Sequence, residues 1–394
     1  MESHDIIVIG HGLIGSAAAK YSAKNNFRVK LIGPDEPAVH EKAEIYASHF
    51  DQARIQRLIG KNEVWTRLNC DSVNAYQQIE TNSKIKFHSA VSCYYVNPHG
   101  EDDYLKKSTS LAQQFNIKYN QLVQENLLKS EFKFPSSSEG IIEQAPSGFI
   151  DPRKLITAQS KIYESLGGIC HKAVARNLSR QSDGSYYIYC TDNTIHHAEK
   201  ILLCQGSFFN MSKLISKELD LKVKSETIIL AEVSEATCSR LKNLPSLLYE
   251  INENGLDGIY LIQALQYPDG KYYIKMGCNL PEDIYFTTLQ EANQWFEDGK
   301  SDDSLHKMKF QLEKLLPQIE FISFQTKRCI ISRTTHGNPY IGKLENENIY
   351  IAGGCNGYSA MCSDAIGKVA SHLISFGDYP EPYKEQDFQL VWKK

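Results

Sequence analysis

The sequence predicts an α/β protein, α+β overall, whose nucleotide-binding domain is assembled from both ends of the chain around an inserted second domain. Three observations carry this reading. Residues 5–33 hold an apolar strand that breaks into Gly10-x-Gly12-x-x-Gly15 and opens a helix. A second glycine-rich strand-to-helix turn, Gly353-Gly354-x-Asn356-Gly357, stands near the other end. The 394 residues also exceed what one core usually serves.

The run Ile6 to Ile9 reads as a buried parallel strand. Gly10 permits the tight turn, Gly12 lets the backbone approach a pyrophosphate, and Gly15 with Ser16 and Ala19 lets the helix lie close on its strand. Leu13 and Ile14 stand at the helix start, where unpaired N–H groups and the positive dipole end face the phosphates. A second strand at Arg28–Ile32 completes the unit, and a dinucleotide is expected on it. The acidic ribose ligand expected at that strand's end is replaced by Gly33. Asp35 or Glu36, one turn later, either reaches the ribose or is a solvated turn residue. No Arg at the strand end selects a 2′-phosphate.

Further along, residues 62–80 read as a helix with Val64, Leu68, Val73 and Tyr76 on one stripe, and 86–96 alternate toward strand. Polar helical stretches are expected at 104–116 and about 120–129, before a loop at Phe134-Pro135. Asp151 and Pro152 form an N-cap and first-turn pair for a helix from Arg153 to Leu166. Strands at 185–190 and 199–204 lead to Gln205-Gly206-Ser207, and 226–234 is strand-like. Residues 258–278 read as a hairpin around Pro268-Asp269-Gly270. A helix at 303–316 precedes a strand near Thr326–Ile331. The closing unit is a strand from Ile349, the glycine turn, and a helix with Ile366, Ala370, Leu373 and Ile374 on one face.

Composition is that of a globular chain, 42% hydrophobic and 23% charged. A net charge of −4 leaves no electrostatic footprint for nucleic acid or an anionic membrane. Apolar runs such as Ile201–Cys204 are too short to span a bilayer. A strand begins within five residues of the N-terminus, which leaves no room for a signal peptide. The ten cysteines show no Cys-x-x-Cys and no zinc spacing, so a reducing, cytoplasmic setting and no metal are expected.

The pattern resembles the D-amino-acid-oxidase-like superfamily of FAD enzymes, in particular its monomeric sarcosine oxidase / N-methyl amino acid oxidase branch. Separated islands spread over nearly the whole chain carry the resemblance: the glycine fingerprint, Asp51-x-x-Arg54-Ile55-x-Arg57, Gly148 to Arg153, Ile201 to Gly206, Ile274 to Gly277, Cys329, Thr335 to Gly342, and Ile349 to Gly367. It implies a Rossmann-like FAD-binding domain (1–84, 148–215 and 325–394) and a substrate domain on a large antiparallel sheet (85–147 and 216–324). The implied chemistry is oxidation of a C–N bond, with hydride passing to flavin N5 and an imine that hydrolyses. A small-molecule amine or amino acid substrate, O2 as acceptor giving H2O2, and a monomer or small homo-oligomer are expected. The alternative is 2-hydroxy acid oxidation, or an amine dehydrogenase with another electron acceptor.

Residue by residue, the resemblance makes Cys329 the cysteine that bonds to the flavin ring, with Arg328 beside it to favour the thiolate. The other reading of Cys329 is a buried strand residue. Lys275 matches the lysine that promotes O2 reduction near the flavin, and as plain sequence it points to water between Ile274 and Met276. Arg54 and Arg57 match a pair that supports the flavin and clamps a substrate carboxylate, against the plain reading of a solvated helix face. The turn Gly354, Asn356, Gly357 and Tyr358, with the helix behind it, is expected to aim a dipole at the flavin pyrimidine. Gly206 joins the cofactor set. Met361 stands in that set too, where the family carries a clamping lysine. Asn279 replaces a histidine and Ile331 an aromatic residue. Tyr260 is the candidate aromatic lid, and Arg333 and His336 are candidates to rebuild a polar site. These departures argue against a simple N-methylglycine-type substrate and for a larger one.

Overall fold

The computed structural model describes residues 2–37, 43–47, 50–100, 102–122 and 130–394. The first strand, Ser3–Ile9, lies parallel between Ile195–Leu203 and Val29–Ile32, with Ile9 opposite both Leu203 and Ile32. Ile349–Gly353 adds parallel beyond Ile195–Leu203, and Ile169–His171 beyond Val29–Ile32. Three further strands complete an eight-stranded sheet that draws on both ends of the chain. Parallel strands need a cover on each face, which explains the near-continuous apolar run of Ile6–Ile9.

The two glycine-led helices, Leu13–Lys24 and Ser363–Phe376, pack on each other. Their approach needs small residues: a Cβ on Gly367 would lie 2.5 Å from Ala17 Cβ and 2.8 Å from the Ala18 nitrogen. A buried ion pair locks the contact, Lys20 Nζ to Asp364 Oδ1 at 2.6 Å, with Tyr21 Oη donating to the other oxygen at 2.8 Å.

The second sheet has nine strands and is antiparallel except where Ser246–Glu253 runs parallel to Cys93–Asn97. Its longest strand, Leu221–Val233, lies toward one edge and is flanked by Tyr272–Asn279 and Ser323–Thr334. Side chains alternate along this strand. Ile229, Ala231 and Val233 join Ile274, Met276, Met308 and Leu312 in one apolar core. The opposite face carries Glu226, Ile228 and Leu230. A three-stranded sheet of Arg54–Gln56, Gly148–Ile150 and His88–Ser89 stands beside the two large ones.

The expected hairpin is present: Leu256–Gln266 pairs with Tyr272–Asn279 around the Pro268-Asp269-Gly270 turn. The helix Pro152–Ser165 starts on the Asp151 cap, whose carboxylate accepts from Lys154 N. The helical stretch expected at about 120–129 is not borne out at its start, where Tyr119–Gln121 pairs with Glu139–Glu143. Residues 123–129 lie outside the described residues. Ser323–Thr334 pairs with Leu221–Val233 along its length, so the domain boundary expected at 325 falls inside a strand of the nine-stranded sheet. The helix Leu289–Asp298, closed by a Thr288/Glu291 capping box, had no sequence expectation. None of the ten cysteines is in a disulfide. Among the described residues no helix is long and apolar enough to cross a membrane.

Candidate active site

The face of the nine-stranded sheet turned away from its core gathers the candidate chemistry. Cross-strand partners point the same way, so Lys275 with Leu230 and Ile262, Gly277 with Tyr260 and Ile228, and Cys329 with Glu226 share one face. Gly277 is glycine for a steric reason, since a Cβ there would lie 2.5 Å from the Tyr260 ring.

Lys275 is buried at 1% exposure, which excludes the reading in which it points to water. Its Nζ donates to Asp51 Oδ2 at 2.5 Å and to the Ala53 carbonyl at 2.8 Å, and lies 5.5 Å from the Tyr260 ring centre. Arg54 donates to the same Asp51 oxygen. The other oxygen accepts from Gln52 N at 2.8 Å and Tyr267 Oη at 3.2 Å. Burial works to raise the Asp51 carboxyl, but Lys275, then Arg54 and Lys327, hold it well below the usual carboxylate range. Burial and the Arg54 guanidinium push Lys275 down to about 8 against the pull of Asp51.

Arg54 and Arg57 are not a solvated helix face. Arg54 lies on a strand, and Arg57 follows it, 6% exposed, with the Tyr95 and Tyr358 rings each 5.6 Å from its guanidinium carbon. Its Nε has no hydrogen-bond partner among the described residues. Glu143, fully buried, accepts from Leu58 N at 2.6 Å, Ile59 N at 3.2 Å and Tyr95 Oη at 2.6 Å, and so fixes the segment behind Arg57.

Burial pushes the Cys329 thiol up, and Arg54 is the main cation opposing this. Arg328 does not supply that charge. Its guanidinium donates to the carbonyls of Gly299, Phe296 and Glu297 at the end of Leu289–Asp298, because neighbouring strand residues point to opposite faces.

Each glycine turn has positions closed to side chains. Gly10 has φ +119°, and a Cβ there would lie 2.2 Å from the Cys204 carbonyl oxygen; one on Gly15 would lie 1.8 Å from the Gly10 oxygen. Gly33 meets the His11 nitrogen in the same way at 2.3 Å, which accounts for the missing acid at that strand end. Gly12 caps the helix with no side-chain hydrogen bond, while Ile14 is buried. At the other turn, Gly354 has φ +74° and abuts Thr334. Asn356 staples it to the Cys329 strand, with Oδ1 accepting from Thr334 N at 2.9 Å and its backbone N donating to Ser332 O at 2.7 Å. Gly206 and Gly357 each have nothing nearer than 3.9 Å to a built Cβ. A 3-10 turn, Ser359–Cys362, intervenes before the last long helix, so the helix starts at Ser363 rather than at the glycines.

The remaining candidates fall elsewhere. Asp35 is half-exposed and pairs with Lys172 at 2.6 Å, and Glu36 pairs with Arg153. Met361 has its side chain in the core beneath the C-terminal helix, and its carbonyl accepts from Tyr76 at 2.6 Å. Arg333 is exposed and donates to Asn279 at 2.9 Å. His336 is tied to the Gln389 carbonyl at 2.9 Å, toward the C-terminal segment.

Comparison with known proteins fits this geometry. A family profile described as FAD dependent oxidoreductase matches residues 5–373. The chain belongs to that family. FAD is therefore its cofactor and it is an oxidoreductase. It is 23% identical to monomeric sarcosine oxidase of Bacillus sp. (strain B-0618), over 96% of this chain and 94% of that one. It is 21% identical to L-saccharopine oxidase of Schizosaccharomyces pombe, over 97% and 92%. Among solved structures it superposes with NikD, an amino acid oxidase essential for nikkomycin biosynthesis, at a TM-score of 0.80, 16% identity, and coverage of 100% and 99%. The residues present suit an FAD: Gly10, Gly15 and Gly354 leave no room for a Cβ, the helix start at Gly12 has no side-chain cap, and a buried nitrogen of Arg57 has no partner among the described residues.

Sequence reasoning gave no role to Asp51, Glu143 or Glu226. Asp51 had a signal in its i, i+3 spacing to Arg54, and Glu226 in being an acid within an apolar strand. It also missed the convergence of His171, Cys190 and His196, whose ligating atoms lie within 4.8 Å of one another on the first sheet. There Lys30 Nζ already stands 3.3 Å from His196 Nδ1, a cation of the protein's own.

Proposed function

We propose that this oxidoreductase oxidises a C–N bond of an amine or amino acid derivative and passes the electrons to O2. The observation that carries the reading is the buried Lys275 ammonium, held by Asp51 beside Tyr260 on the face that also presents Cys329. FAD, when bound, supplies the hydride acceptor at N5. The substrate loses one hydride and one proton, water hydrolyses the resulting imine, and O2 takes two electrons and two protons to leave as H2O2.

The chain's own groups position these events. Arg57, caged by Tyr95 and Tyr358, binds the substrate carboxylate with its forked donors. Tyr260 covers the substrate and excludes water. Lys275 keeps a positive charge in a dry site where O2 gains negative charge. Gly10, Gly12, Leu13, Ile14 and Gly15 cradle the pyrophosphate, and Gly206, Gly354, Asn356, Gly357 and Tyr358 line the flavin. Arg54 supports the flavin ring and Cys329 is its attachment point. The eight-stranded sheet thus serves the dinucleotide, and the nine-stranded sheet the substrate and the flavin attachment. Met361, Asn279 and Ile331 leave the site less cationic and less aromatic than the resemblance implies, which favours a substrate larger than N-methylglycine.

The test is anaerobic mixing of the purified yellow protein with a panel of N-alkyl amino acids. Bleaching of the flavin by an amine, followed by peroxide release when air is admitted, is expected. Bleaching by 2-hydroxy acids alone would overturn the reading. Acid denaturation is expected to leave the colour on the wild-type chain and to free it from Cys329→Ser.

A further inference from the structure

Glu226 is 8% exposed, and nothing in the mechanism above uses it. It stands on strand Leu221–Val233 of the nine-stranded sheet, directly opposite Cys329 and on the same face as Tyr260 and Lys275. Its Oε2 has no hydrogen-bond partner among the described residues. Lys224 Nζ forms a buried ion pair with that oxygen at 3.1 Å and shares its ammonium with Asp283. One lysine therefore faces two carboxylates. The next cation, Arg333, is exposed and donates to Asn279. Burial raises the Glu226 carboxyl, with Lys224 opposing, and Glu226 is the strongest charge acting on Tyr260.

Two carboxylates that share one ammonium keep an uncompensated negative charge, and its retention beside a reaction site calls for a cation from outside the chain. The polarity of the site says which cation. Tyr260 packs both against the cluster around Tyr95, which cages Arg57, and against Ile228 and Leu230, next to Glu226 along their strand. A guanidinium thus stands on one side of the tyrosine and a carboxylate on the other. We infer that Glu226 binds a second basic group of the substrate, so that the substrate is an amino acid derivative carrying a cationic nitrogen besides the amine that is oxidised. This rests on the amine-oxidase reading and sharpens it. Charge-assisted N–H···O bonds of this kind discriminate strongly against a ligand that lacks the donor, because the carboxylate is then left buried with only a shared ammonium.

The experiment uses the holoenzyme and two probes of equal length, Nα-methyl-L-lysine and Nα-methyl-L-2-aminoheptanoic acid, which differ only in an ammonium against a methyl terminus. The Nα-methyl derivative of L-ornithine checks reach. Binding is read anaerobically from the perturbation of flavin absorption, and oxidation from flavin bleaching. The ammonium-ended probe is expected to bind about tenfold or more tightly than the methyl-ended one. That ratio should fall to about one in Glu226→Gln and be partly kept in Glu226→Asp, which retains the charge at shorter reach. Equal binding of the two probes, no binding of either, or a preference that survives in E226Q would overturn the assignment. Preferential binding of the ammonium-ended probe without any bleaching would instead reject amine oxidation and leave the role of Glu226 standing.

Discussion

Asp51 and Glu226 are both buried carboxylates beside the same tyrosine, and they stand in opposite conditions. Asp51 accepts from Lys275, Arg54, Gln52 N and Tyr267, which lowers its carboxyl far below the usual range despite burial. Glu226 has one lysine, which it shares with Asp283, and burial wins. The difference lies in donors rather than depth: desolvation penalises both, and only directed N–H and O–H groups offset it. A saturated carboxylate fixes the cations around it, and an unsaturated one is available to a ligand.

Breaking the saturated member is expected to have the largest effect. Asp51→Ala leaves Lys275 and Arg54 buried without their anion, and a loss of roughly 3–5 kcal/mol is expected, read as a fall in the urea unfolding midpoint. An unchanged midpoint would mean that solvent already compensates those cations. Next, Lys275→Met should slow reoxidation of the reduced enzyme by about a hundredfold while changing its reduction by substrate far less. Stopped-flow measurement of both half-reactions checks this, and equal losses would remove Lys275 from the oxygen step.

The pair also separates by pH. Lys275 is depressed from 10.5 to about 8, so the folded state favours its neutral form. Its protonated form weighs against folding below about 8, and that penalty fades as pH rises from 8 toward 10.5. Catalytically the sign reverses: the ammonium is lost as pH rises through about 8, and the reoxidation rate should fall by up to tenfold per pH unit above it. A rate flat from pH 7 to 10 would contradict this. Asp51 runs the other way, with stability present above the ordinary carboxylate range and lost as pH falls well below it. The smallest effect belongs to the unsaturated member. Glu226→Gln removes a buried charge served by one shared ammonium, so stability should change by no more than about 1 kcal/mol, and upward, read from the unfolding midpoint. A large fall would show that Lys224 holds Glu226 more firmly than its geometry indicates.

Much of this architecture was legible in the chain. The spacing Gly10-x-Gly12-x-x-Gly15 after an apolar run specifies its own turn, because backbone sterics act between near neighbours. The Asp151 cap, the Pro268-Asp269-Gly270 turn and the closing glycine turn are local in the same sense. Strand Ser323–Thr334 was only half legible, since which sheet it joins depends on pairing with residues about a hundred positions away. The orientation of Arg328 followed from the same pairing.

By itself, then, the sequence determined the local grammar: where the chain turns, that the first helix follows directly on its glycines, and that both ends build one nucleotide fold. Tertiary structure alone decided which charges meet. Asp51 and Lys275 are 224 residues apart, yet their side-chain atoms lie 2.5 Å from each other. Whether Lys224 serves Glu226 alone is likewise set by Asp283, 59 residues further along the chain, which shares its ammonium. Turn chemistry is short-ranged along the chain, whereas the balance between desolvation and directed hydrogen bonds exists only once distant segments have packed.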